Sequence, residues 1–150
     1  MGRVIYGGGG ITPDIIVQPD TLSTAEQKVF NAFAPKTGIV FSVLLNYALE
    51  LKNTVRPDFT VPPAWREEFF KRLQAQGVVL DHAQYEQAST EIDKLIGNRV
   101  ARLAFGDSTA KRRSLTDDTQ LVKALSVIRQ ASTQRDLFAL AEKKQTTARR

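Results

Sequence analysis

Apolar and polar positions along the chain change their period once. Val4 and Ile5, and then Ile15, Ile16 and Val17, are β-branched runs on either side of four consecutive glycines. They read as two short strands, residues 3–6 and 14–17, or as one broken strand. Pro19-Asp20 ends that section. Beyond it the apolar spacing becomes helical and stays so.

Ser23 and Glu26 have capping-box spacing, and Val29, Phe30 and Phe33 follow as an apolar face that Pro35 terminates. Over 38–52, Val40, Phe41, Leu44, Leu45, Ala48 and Leu51 recur at three and four residues, a core-facing stripe. A prolyl connector, RPDFTVPPAW, leads into a helix opened by Pro62-Pro63 and carrying Trp65, Phe69, Phe70 and Leu73, with Gly77 at its C-terminal stop. Asp81 is placed to cap one long helix as far as Phe105, striped by Tyr85, Ala88, Ile92, Leu95, Ile96, Val100, Leu103 and Ala104, which Gly106 stops. GDSTAKRRSL reads as a basic loop. A helix from Thr116 or Asp117 and another beyond a break at 131–133 complete the chain, and the polar KKQTTARR is expected to be disordered.

The expected fold is therefore mainly α: an irregular bundle of about six helices, with a short β element at the start. Two short strands are marginal alone, so the sheet they complete is expected to lie outside this sequence. The expected division is 1–20 as that strand-and-turn element, 21–145 as a helical domain and 146–150 as a basic tail. The Trp65/Phe69/Phe70 cluster is expected to meet the stripe over 95–103.

The length of 150 residues permits a core that buries roughly two-thirds of the unfolded surface. Apolar content of 42% with 25% charged residues fits a globular chain. No apolar run approaches the ~18–20 residues of a membrane span, and no secretory leader pattern opens the chain. The absence of cysteine removes disulfides and thiolate metal sites. The net charge of +5 is concentrated late, since 107–150 hold ten Lys/Arg against five Asp/Glu while the rest balances. This leaves an anionic partner, or a solvated helical face, with Lys111, Arg112 and Arg113 as the candidate interaction patch. Aromatic residues are not interleaved with the basic ones, which disfavours nucleic acid.

The glycine run does not suit a nucleotide loop, because β-branched ITPDIIV follows it where a helix N-terminus is needed, with no Lys before Lys28. An added flexible linker is equally unsuited, both flanks being strand-like. His82, the single histidine, reads as a capping or surface residue, and no metal or cofactor is expected. Glu67-Glu68 and Asp117-Asp118 read as first-turn acids that favour helix dipoles. Ser42, Ser89 and Ser126 lie in no nucleophile-elbow context, so no catalytic constellation is evident.

GRVIYGGGGITPDIIV resembles a segment of the carboxyl-terminal processing peptidases, or tail-specific proteases, through Gly2, Arg3, Tyr6, Gly7, Gly8, Gly9, Gly10, Ile11, Pro13 and Asp14. EEFFKRLQAQGV, ARLAFGD and DDTQLVKALSVI are similar, more weakly and in the same order, to the helical C-terminal extension of some members. The resemblance implies a Ser nucleophile with a Lys general base, both upstream of the glycine phrase. Nothing here aligns with them, and Lys28, Lys36 and Ser42 do not fill the roles. It implies further that the glycines form a turn in a protease-core sheet, that Met1 marks where a longer polypeptide was cut or its frame assigned, and that the setting is periplasmic or secreted. The implied role is a non-catalytic C-terminal region serving packing, assembly or substrate access, with the upstream core as partner and self-association through orphan strands or helices. An autonomous helical protein-interaction module is the other reading.

Overall fold

In the computed structural model, residues 15–18 and 20–148 are described, with side chains as far as Ala141. The chain divides into two compact units, Asp20–Asp117 and a second made of Met1–Pro19 with Asp118–Arg150. The region expected as one helical domain is thus shared between them. The glycine turn at 7–14 and the first expected strand lie outside the described residues. Among the described residues there is no strand: 15–17 lie in non-repetitive backbone. A strand needs a neighbouring ladder to bond with, and none is described here.

The larger unit is mainly helical, with non-helical connectors at 52–62 and 76–81. Helix α1 (Thr24–Phe33) begins as the capping box requires, with Ser23 N–H donating to Glu26 Oε2 at 2.6 Å and Glu26 N–H to Ser23 Oγ at 3.3 Å. Pro35 does not separate α1 from the next helix. It sits inside a 3-10 turn (Ala34–Lys36) that passes directly into α2 (Thr37–Leu51), because a first-turn proline costs no hydrogen bond. This continuity makes a helical stretch, Thr24–Leu51, with the length and apolar content of a membrane-crossing helix, which the sequence divided at Pro35 does not show. Val29, Phe33, Val40, Leu44, Tyr47 and Ala48 on this stretch are buried.

Helix α3 (Pro63–Ala75) ends as expected at Gly77, whose φ of +74° lets Val78 N–H return to Leu73 O at 3.0 Å. Lys36 Nζ donates to the Gly77 carbonyl, tying that end to the 3-10 turn. The expected long helix is two, α4 (His82–Gln87) and α5 (Ser89–Phe105), broken at Ala88. Ala88 N–H is shared between the Gln84 and Tyr85 carbonyls at 3.1 Å, which tightens the turn and redirects the chain. Gly106, at φ +82°, then turns the chain into α6 (Asp107–Ser114), where the sequence suggests a loop. Burial of Ala110 and the inward packing of Arg113 favour helix over loop there.

Phe69, Phe70 and Leu73 of α3 meet Ile92, Ile96 and Val100 of α5 in one core with Leu44, Tyr47 and Tyr85, and Trp65 and Leu95 pack partly buried against it. The expected meeting of aromatic cluster and stripe is realised. The driving term is apolar burial, worth about 1.5–3 kcal/mol for each such side chain before entropy is subtracted.

In the second unit, Asp118 rather than Thr116 or Asp117 caps α7 (Thr119–Ile128), accepting from Leu121 N–H at 2.9 Å. Helix α8 (Gln134–Ala148) runs past the point where a polar tail is expected, and Val127 and Ala141 are this unit's buried apolar residues among those described.

Candidate interaction groove

The three basic residues of the candidate patch stand on α6, but the fold gives them different work. Arg113 turns inward: its guanidinium lies 4.2 Å from the Phe59 ring centroid, and Nη1 donates to the Pro57 carbonyl at 3.3 Å. Arg112 is exposed and lines a groove, whereas Lys111 is exposed and does not line it. Arg113 is a strut for the connector, which has no hydrogen-bond ladder of its own to hold it.

The groove measures ≈780 Å³. It is lined by residues 57–61 of the connector, by Gly97 and Asn98 of α5, and by Thr109, Arg112 and Arg113 of α6. Gly97 is what lets these elements approach. A Cβ there would stand 3.2 Å from Val61 Cγ2 and 3.6 Å from Arg113 Nη2. Asp58, Asp93 and Asp117 also face the groove, so its charge is mixed.

Below it, Arg66 of α3 holds Asp93 of α5 through Nη1 at 2.9 and 3.0 Å and approaches Glu86 of α4 at 3.7 Å. Burial works against the Arg66 charge, but the Asp93 hydrogen bonds, then the Asp93 and Glu86 charges, outweigh it and raise its pKa. Its Nε is buried without a partner. On the far side of α3, Arg72 lies 4.4 Å over the Tyr47 ring, donates to both Glu50 oxygens at 2.7 and 2.9 Å and to Glu68 at 2.7 Å.

Of the two acidic pairs, Asp117 alone is a first-turn acid, in the 3-10 turn Leu115–Asp117. Glu67 and Glu68 lie in the second turn of α3, where Glu68 serves Arg72 and Glu67 faces His82, while Asp118 is a cap. His82 is exposed at the start of α4, its Nε2 2.9 Å from Glu67 Oε1 and its ring edge-on to Phe70 at 4.8 Å. The cap itself is Asp81, which accepts from Gln84 N–H at 2.8 Å. The i, i+4 spacing of His82 and Glu86 is the sequence signal that could have drawn attention to this corner.

Thr37, Thr54, Ser114, Thr116 and Ser126 all donate to nearby main-chain carbonyls. A Ser nucleophile needs a base within hydrogen-bond reach instead. No family model, curated protein or solved structure matches the chain.

Proposed function

We propose that this chain is the non-catalytic C-terminal region of a tail-specific serine protease, periplasmic or secreted, which packs on the protease core of the same polypeptide. The observation that carries the reading is the ordered phrase GRVIYGGGGITPD placed before a mainly helical remainder. In this reading the glycine phrase is a turn of the core sheet. The packing face is Phe41, Leu45 and Leu49 of α2, spaced at i, i+4, i+8 and exposed in the helical unit. Self-association through the same face is the behaviour expected of the isolated chain. Peptide hydrolysis requires the upstream Ser and Lys, so the chain alone is inert.

The test is to read the coding DNA upstream of codon 1 in frame. A frame that continues into a Ser and a Lys arranged as in those proteases supports the proposal. A stop codon directly upstream, with a ribosome-binding site before Met1, overturns it.

A second reading, an autonomous interaction module, is favoured by one observation: Arg112 faces solvent at a groove large enough for a peptide segment. Charge reversal at Lys111 and Arg112, with Arg113 left in place as a strut, separates the two. It abolishes capture of an acidic partner if the module reading holds, and leaves packing on a protease core unchanged.

A further inference from the structure

We propose that Glu67, His82 and Glu86 form a binding site for one divalent transition-metal ion of the zinc type. One ligand atom from each lies within 4.8 Å of the others. The proposal is independent of the protease reading, since it uses contacts within the helical unit only.

Two helices place the ligands. His82 and Glu86 stand i, i+4 on α4 and so share one face, and Glu67 reaches them from α3. The backbone beneath is fixed by the Asp81 cap, by the Phe70–His82 ring contact and by the buried Tyr85, whose hydroxyl donates to Arg66 O at 3.0 Å. Zinc held at ~2.0–2.2 Å by a tetrahedral set needs ligand atoms roughly 3.4 Å apart, so His82 Nε2 and Glu67 Oε1, 2.9 Å apart, must open by about half an ångström while the widest separation closes by somewhat more than one. The three side chains are 39–52% exposed, and closure needs only rotamer adjustment at the surface.

The donor set also argues for the ion. One imidazole nitrogen with two carboxylates suits zinc and its neighbours, whereas calcium and magnesium take oxygen ligands. Three protein ligands leave a fourth position for water. Arg66 sits behind Glu86 at 3.7 Å but commits its two short bonds to Asp93, so it orients the Glu86 carboxylate without occupying it.

The experiment is calorimetric titration of the chelator-treated 150-residue chain with zinc chloride, followed in parallel by the proton NMR signals of the ring of His82, the single histidine. One zinc per chain is expected, with the His82 ring signals moving at the same equivalence point. Glu86→Gln and His82→Gln should each weaken binding by about tenfold or more, with helical circular dichroism unchanged. No uptake by the unsubstituted chain overturns the site. So does uptake that leaves the His82 ring signals still, or that both variants retain in full.

Discussion

Tyr85, wholly buried at the centre of the helical unit, gives its hydroxyl to the main-chain carbonyl of Arg66 at 3.0 Å. One side chain thus joins the short helix α4 to α3, and burial raises its phenol pKa well above the ordinary range. Tyr85→Phe removes only the hydrogen bond and is expected to cost about 1 kcal/mol. Tyr85→Ala also opens a cavity beside Phe70 in the core and is expected to cost about 3–5 kcal/mol. Urea denaturation of both variants checks the ratio.

Gly97 and Gly38 predict different responses to the same substitution. Gly97→Ala brings a methyl to 3.2 Å from Val61 Cγ2, crowding that offsets the helix-propensity gain of about 1 kcal/mol and leaves little net stabilisation, while Gly97→Leu should destabilise by about 3 kcal/mol. Gly38 has nothing within 4 Å of an added Cβ and lies in the first turn of α2, so Gly38→Ala should stabilise by about 0.5 kcal/mol. Thermal melts of the pair decide the matter, and equal effects would contradict it.

Arg112 and Arg113 are neighbours in sequence with unequal structural work. Arg113→Ala loses the Phe59 contact and the Pro57 carbonyl bond, and should cost about 1–2 kcal/mol while loosening the connector. Arg112→Ala should change stability by less than about 0.5 kcal/mol. Hydrogen exchange at 57–61, faster in the first variant alone, is the accompanying readout.

Acid is expected to weaken the helical unit through two carboxylates. The Arg72 hydrogen bonds lower the Glu50 pKa, and the Ser23 main-chain N–H, then its hydroxyl, lower that of Glu26, both from an ordinary 4.5. A carboxylate held below its unfolded value contributes stability that is present above 4.5 and lost as pH falls through the folded value. The melting temperature should therefore fall below pH 4.5, and Glu26→Gln with Glu50→Gln should make that fall shallower. A melting profile of the double variant as steep as that of the parent would refute the assignment.

Sequence alone determined whatever depends on neighbours along the chain. The Ser23–Glu26 box, the Pro62-Pro63 start, the Gly77 stop and the apolar stripe of α5 follow from local hydrogen bonding and the 3.6-residue period, and they stand in the structure. Of the places that local rules misread, three were decided by tertiary packing. Pro35 looks like a terminator until α1 and α2 share one core, the Ala88 break is invisible in a stripe that keeps its period, and KRR reads as loop until Arg113 finds Phe59 across 54 positions of chain. The candidate metal corner belongs to the same class. His82 and Glu86 are paired by helical spacing, but Glu67 reaches them only because the turn at Gly77 folds α4 back against α3. Period and capping are properties of a segment, whereas convergence of side chains is a property of the packed whole.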